Sequence, residues 1–296
     1  MGRERYSLTN ISKTIVLVRG GGDLATGVVQ KFYRAGFKVV VLETEKPLAI
    51  RRTVSLCSAV YEGEYQVEDM HACLVASPKE CQKVSRAWEQ GKIPILVDPK
   101  AEQLANLKPQ ILIDAIMAKK NLGTHKDMAG VTIALGPGFE AGVDVDVVIE
   151  TKRGHDLGKL YFKGAAFPNT GIPGEIDGKS KERVIHAPCS GIIKHNKEIG
   201  SQVKKGEVIF FVGEKEIHSP LSGTLRGLIH EGLSVNKGLK CADIDPRIVD
   251  CYSISDKARA LGGAALEAAM MLIRAPSMTH SIRTRFYMNY KPPFLR

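Results

Sequence analysis

The stretch TIVLVRGGGDLATGVVQKFYRAGFKVVVLE, residues 14–43, decides the fold of this chain. It runs from an apolar strand through a glycine-rich turn and a segment of helical period into a second apolar strand. The turn, Gly20 to Ala25, fits the pattern G-x-G-x-x-A. The first glycine permits a tight turn, and the second lets backbone N–H groups approach a phosphate beside the positive end of a helix. The pattern therefore predicts a Rossmann-type unit that holds a phosphate-bearing ligand.

The second strand ends in an acid, Glu43, which follows Gly20 by 23 residues. A carboxylate at that distance is placed to accept hydrogen bonds from a ribose or a similar diol. The alternative is a glycine turn kept for packing in a domain without a ligand. The ligand-binding residues predicted at this turn are Gly20, Gly21, Gly22, Asp23, Ala25 and Glu43.

Further strands and helices alternate through the first half of the chain, which is typical of βαβ units around a parallel sheet. Helices are predicted at 24–35 and 78–90. We therefore expect a Rossmann-like, nucleotide- or cofactor-binding domain over residues 14–138. The predicted strands are Thr14–Arg19, Lys38–Glu43, His71–Ala76, Ile93–Val97, Gln110–Ile113 and Val131–Leu135.

Several polar or flexible residues follow predicted strands, at the sheet edge where α/β proteins bind ligands. Each has a structural alternative: cations at the surface, glycines that only fix a turn, and a histidine that only makes a structural hydrogen bond. No nucleophile, base or metal-ligand spacing accompanies them, so no catalytic residue and no metal site are predicted. The additional ligand-binding candidates are Lys119, Lys120, Gly136, Gly138, Arg153 and His155.

Residues 139–183 are predicted to be a linker containing one strand, and an internal repeat follows them. The pattern HxPxSG begins at His186 and recurs at His218, an offset of 32 residues. The two copies resemble the halves of a biotinyl/lipoyl-type barrel-sandwich hybrid, which is therefore predicted over 184–246. A helix is expected at 255–274, followed by a basic tail at 275–296.

The hairpin between the two copies contains Lys215, the position that a carrier domain of this type would modify. Its surroundings, Val-Gly-Glu-Lys-Glu-Ile, lack the Met-Lys-Met or Asp-Lys-Ala context of such carriers. The sequence therefore argues against covalently attached biotin or lipoate.

Composition narrows the class of protein. The 296 residues are 44% hydrophobic, which is ample for a core, and no apolar run reaches the roughly 18 residues that a membrane span needs. We expect a cytoplasmic protein without membrane contact, whose six cysteines are reduced. The net charge of +10 is concentrated towards both ends, so the body suits an anionic small molecule or an acidic partner better than nucleic acid.

Taken together, five stretches resemble the YqeB-type accessory proteins of selenium-dependent molybdenum hydroxylases, and more distantly xanthine dehydrogenase accessory factors. They are VRGGGDLATGVVQKFYRAGF, DAIMAKKNLGTH, ALGPGFEAGVDVDVVIETKRGHDLGKL, FPNTGIPG and the duplicated segment. The resemblance implies maturation of a molybdenum hydroxylase, with molybdopterin, its dinucleotide or the selenium or sulfur ligand as cargo. The alternatives are an NAD(P)-dependent oxidoreductase and a non-catalytic adaptor. Enzymatic turnover and oligomeric state stay open.

Overall fold

A computed structural model describes residues 10–75, 81–169, 171 and 175–273 of the chain. The predicted tail at 275–296 and the start of the helix predicted at 78–90 lie outside these residues. The helices are α1 (Asp23–Arg34), α2 (Ala59–Glu62), α3 (Cys81–Glu89), α4 (Leu104–Leu107) and α5 (Asp256–Ile273). Short 3-10 turns lie at Ile11–Lys13, Arg52–Val54, Leu56–Ser58, Lys126–Met128 and Lys181–Arg183.

The first eleven strands extend from residue 15 to residue 165. They are β1 (Ile15–Arg19), β2 (Lys38–Glu43), β3 (Glu64–Val67), β4 (Met70–Val75), β5 (Ile93–Val97), β6 (Ile111–Asp114), β7 (Val131–Leu135), β8 (Glu140–Ala141), β9 (Val147–Ile149), β10 (Leu160–Tyr161) and β11 (Gly164–Ala165). All six predicted strands are present within one residue of the predicted bounds. Their β-branched residues suit a sheet that is buried on both faces.

Nine of these strands form one mixed sheet in the order β10-β9-β7-β6-β1-β2-β5-β4-β3. The seven inner strands run parallel to one another, and β10 and β3 are antiparallel edges. Because these seven strands are parallel, their carboxyl ends meet at a single edge of the sheet. Strands β8 and β11 pair separately.

The predicted fold class, a Rossmann-like parallel sheet domain followed by a barrel-sandwich hybrid, is wrong. The hairpin of β3 and β4 carries the chain to the outside of the sheet, so β5 returns between β2 and β4 instead of extending the parallel order outward. The segment predicted to be a linker supplies β9 and β10 to the same sheet. Between β6 and β7 the connection contains a 3-10 turn, Lys126–Met128, in place of a helix.

The last eight strands form two antiparallel sheets, where the repeat predicts a barrel-sandwich hybrid. They are β12 (Val184–His186), β13 (Gly191–His195), β14 (Gln202–Val203), β15 (Val208–Val212), β16 (Lys215–His218), β17 (Gly223–Leu228), β18 (Ser234–Val235) and β19 (Lys240–Asp245). The sheet orders are β12-β19-β17-β14 and β16-β15-β13-β18. Each sheet thus takes two strands from each copy of the repeat, and the copies share one apolar core.

Helix α5 covers the main sheet in the region where the chain between β6 and β9 provides no helix. It packs on α1, β7 and β9, and its alanines join the core of the sheet. The two helices approach most closely at Gly27 and Gly262: a Cβ built on Gly262 would lie 2.2 Å from the carbonyl oxygen of Gly27. Glu68 supports the contact by accepting hydrogen bonds from Gln30 and Arg259 side chains on the two helices.

Among the residues that the structure describes, no helix combines the length and the apolar character that crossing a membrane requires.

Candidate ligand-binding cleft

A cleft of about 770 Å³ opens at the carboxyl ends of β1, β2 and β6. The glycine turn, residues 43–50 and residues 115–117 line it. Leu239 and Lys240 also line it, and they belong to the β unit, the two antiparallel sheets formed by β12 to β19. The cleft therefore lies where the main sheet meets the β unit, at the edge of the sheet where ligands of α/β proteins bind.

Different structural features explain why a glycine stands at each of the three positions of the turn. Gly20 has φ +93°, and a Cβ there would lie 3.0 Å from the carbonyl oxygen of Ala115. A Cβ on Gly21 would lie 3.1 Å from the Cβ of Cys57. Gly22 has an ordinary φ of −69°, and its added Cβ would meet no atom within 4 Å. Packing and backbone conformation explain the first two glycines but not Gly22, whose open side belongs to the cleft.

The first turn of α1 also faces this space. Gly22 is the N-cap residue and offers no side-chain cap. The backbone N–H groups of Asp23, Leu24 and Ala25 donate to no acceptor among the described residues, and all three residues line the cleft. Free N–H groups and the helix dipole together favour an anion at this position.

The acidic residues at the turn are already engaged by the protein. The Glu43 carboxylate accepts hydrogen bonds from the backbone N–H of Gly21 at 2.7 Å and of Thr44 at 2.8 Å. Asp23 pairs with the buried guanidinium of Arg51 at 3.4 Å. Glu43 therefore braces the glycine turn against the end of β2. Its predicted contact with a ribose stays a prediction.

Two lysines that line the cleft, Lys46 and Lys240, have ammonium groups that form no hydrogen bond or ion pair within the described part of the chain. Lys240 is exposed as a residue, yet the protein atoms around its ammonium desolvate it and lower its pKa. The nearby charges of Arg183 and Lys119 act in the same direction, against Asp243 and Asp23. The cleft therefore offers two cations without an ion-pair partner among the described residues.

The other predicted loop residues lie outside the cleft lining. A Cβ on Gly138 would lie 2.6 Å from the backbone nitrogen of Lys120, and one on Gly136 would lie 2.6 Å from Oγ1 of Thr151. Close packing between loops thus accounts for both glycines. Lys119 and Lys120 are exposed on the loop that Gly138 contacts.

Arg153 has a structural partner. Its guanidinium donates two hydrogen bonds, of 2.8 and 3.0 Å, to the carboxylate of Asp256 at the start of α5. This contact lowers the pKa of Asp256 to about 2, because the arginine stabilises the charged carboxylate. His155 is exposed and contacts no hydrogen-bond partner among the described residues. The structure therefore does not bring these two residues together with the glycine turn.

Sequence reasoning missed Cys57 and Lys240. Cys57 is buried beside Gly21, and burial raises the pKa of its thiol well above the ordinary value, with help from the charges of Glu43 and Asp23. Its backbone N–H donates to the carbonyl oxygen of Gly21, so it supports the turn. Lys240 had one detectable signal: in the first repeat copy the equivalent position is Val208.

The side chains of five cysteines are described, and all five are free thiols: Cys57, Cys73, Cys189, Cys241 and Cys251. Within the described ranges, no three histidine, cysteine, aspartate or glutamate side chains gather in a way that could hold a metal ion.

Comparison with solved structures gives low similarity. The ectoine utilization protein EutE (DoeB) from Ruegeria pomeroyi is 10% identical with a TM-score of 0.24, over 78% of this chain and 85% of that one. A succinylglutamate desuccinylase/aspartoacylase from Rhodobacter sphaeroides is 12% identical with a TM-score of 0.25, over the same shares of the two chains. At such scores the likeness carries no argument about fold or activity.

Comparison of sequences is more informative. No protein-family model matches the chain. A protein of Escherichia coli (strain K12) named "Uncharacterized protein YqeB" is 52% identical over 261 residues, which are 88% of this chain. The chain spans about half of that relative, 48% of its length. At this identity, the protein is a homologue of YqeB over the matched residues.

Proposed function

We propose that this protein binds a phosphate-bearing ligand in the cleft and serves in the maturation of a selenium-dependent molybdenum hydroxylase. The observation that carries the binding proposal is the open side of Gly22 beside the uncapped start of α1. Gly22 lines the cleft and carries no side chain, so a ligand can approach the first N–H groups of α1 closely there. The role in maturation is supported by the five stretches that resemble accessory proteins of these hydroxylases.

The chemistry of the cleft suits holding a ligand better than transforming it. No histidine is found among its lining residues, and its buried thiol, Cys57, stays protonated at neutral pH because its pKa is raised. The carboxylate of Glu43 is occupied by backbone N–H groups. Of the other carboxylates in the lining, Asp23 is paired with Arg51 and Glu45 is exposed, and neither contacts a hydroxyl or thiol that it could activate as a nucleophile among the described residues. The residues present fit the phosphate of a molybdopterin-type group or of a nucleotide.

The experiment deletes the gene in a host that contains the hydroxylase and restores it with wild type, Gly22→Val or Gly263→Val. Gly263 is the matched control, because its added Cβ would also meet no atom within 4 Å, but it lies in α5 away from the cleft lining. We expect the deletion to leave the hydroxylase polypeptide present, inactive and short of cofactor. Wild type and Gly263→Val should restore activity, and Gly22→Val should not.

Two results would overturn the proposal. One is full hydroxylase activity in the deletion strain. The other is purified protein that oxidises NAD(P)H against a small carbonyl substrate at ordinary enzymatic turnover, which would make it an oxidoreductase.

A further inference from the structure

The two copies of the repeat have equivalent strands but different charges. Strand β19 of the second copy corresponds to β15 of the first at the offset of 32 residues. Lys240, Asp243 and Asp245 stand where the first copy has Val208, Phe211 and Gly213. The core of the β unit does not require a charge at the position of Lys240, because Val208 begins the equivalent strand β15 without one.

Two of the three substituted residues are paired within the protein. Asp243 accepts a hydrogen bond from the buried Arg183 at 3.0 Å, and Asp245 accepts hydrogen bonds from Arg247 at 2.9 and 3.0 Å. Lys240 differs, since its ammonium has no hydrogen bond or ion pair among the described residues, and it lines the cleft. It is therefore the cation that the second copy presents to the ligand space.

We propose that Lys240 binds a second anionic group of the ligand whose phosphate lies at the start of α1. This inference rests on the proposed function and specifies its ligand class: a molecule with two separate anionic groups, bound between the main sheet and the β unit. Lys240 and the first turn of α1 line the same cleft, so a ligand with two separate anionic groups can contact both positions. A lysine ammonium binds phosphate as a point charge, without the fixed geometry of an arginine.

The test measures the affinity of AMP, with one phosphate, and of adenosine 3′,5′-bisphosphate, with two phosphates separated by the ribose. Wild type is compared with Lys240→Gln and with Lys237→Gln. Lys237 is the matched control, since it is exposed and lies three residues before Lys240, between β18 and β19, but is not part of the cleft lining. We expect Lys240→Gln to lower the affinity for the bisphosphate by about ten-fold or more, the scale of one charge-assisted contact. The affinity for AMP should fall by less than about two-fold.

A second measurement follows acetylation of Lys240 in the wild-type protein by mass spectrometry. Adenosine 3′,5′-bisphosphate should protect Lys240 but not Lys237, and Gly22→Val should abolish the protection. If Lys240→Gln weakens the binding of both probes equally, or does not weaken the binding of the bisphosphate, the second subsite is overturned. Binding of AMP would in that case still support the proposed function. Failure of wild type to bind either probe would overturn both proposals.

Discussion

Gly22 and Gly27 lie just over one turn apart at the start of α1, yet they have opposite surroundings. A Cβ on Gly22 would enter open cleft, whereas a Cβ on Gly27 would lie 2.3 Å from the carbonyl oxygen of Ala258 in α5. The first glycine leaves room for a ligand and the second leaves room for a helix. A glycine in the sequence can therefore serve either ligand access or close packing, and only its surroundings in the folded protein show which.

The largest effect is expected where the glycine serves packing. Gly262→Val places a branched side chain against the backbone of Gly27, so the two helices must separate. We expect a loss of about 3 kcal/mol or more in the free energy of unfolding, the upper range for overpacked cores. Urea denaturation measures it. Gly263→Val, on the same helix in open space, should change stability by less than about 1 kcal/mol. Equal stability of the two variants would contradict the close helix contact.

The reverse outcome is expected at Gly22. Gly22→Val keeps the fold and costs about 1 kcal/mol or less of unfolding free energy, because valine is a poorer N-cap than glycine. Ligand binding should be lost, since the added side chain occupies the space beside the first N–H groups of α1. Thermal unfolding with and without AMP measures both quantities. A variant that is still stabilised by AMP as strongly as wild type would show that the turn is not the site.

A smaller effect is expected for Glu43→Gln, which tests the brace behind the glycine turn. The amide retains one acceptor for the two backbone N–H groups that Glu43 now engages, so we expect a loss of about 1 kcal/mol in unfolding free energy. Inorganic phosphate should bind at least as well as to wild type, because a negative charge has been removed. A specific loss of AMP relative to phosphate, measured by calorimetry, would instead establish the predicted ribose contact.

Lys240, on the side of the cleft that the β unit forms, gives a prediction about pH. The pKa of Lys240 lies below that of an ordinary lysine, so its charge is lost at a lower pH. Anion binding requires the charged form, and the affinity for adenosine 3′,5′-bisphosphate should therefore fall as pH rises through this lowered pKa. Calorimetry across the alkaline range measures it. Lys240→Gln should remove that part of the pH dependence, and persistence of the full dependence would assign it to another group.

The smallest effect is expected at Arg153, because its ion pair with Asp256 is partly exposed. Arg153→Ala should cost less than about 1 kcal/mol in unfolding free energy. Since the pKa of Asp256 is about 2 in the folded protein and higher when unfolded, the contribution is complete above about pH 4. It is lost as pH falls towards 2. Denaturation of wild type and variant over this range measures it, with His155→Ala as the control. Loss of AMP binding in Arg153→Ala would restore the predicted ligand role.

The strands were predictable from the sequence because short runs of β-branched residues, such as residues 38–43, are typical of strands that are buried on both faces of a sheet. Their order was not. The β3–β4 hairpin and the strands β9 and β10 take their places in the sheet through pairing with strands distant in the chain, and no local pattern encodes such partners. The Rossmann prediction failed for this reason, since it extended a local βαβ motif to the whole sheet.

The features of the candidate site also separate into those that the sequence determines and those that only the folded structure reveals. The sequence by itself determined the glycine turn, the acid that follows β2 and the period of the repeat, because these depend on spacing along one segment. Only the tertiary structure decided that Glu43 braces the turn, that Arg153 holds α5, and that Lys240 reaches the cleft. Each of these depends on a contact between segments far apart in the chain, and a side chain's partner is fixed by the packing of the whole molecule rather than by its neighbours in sequence.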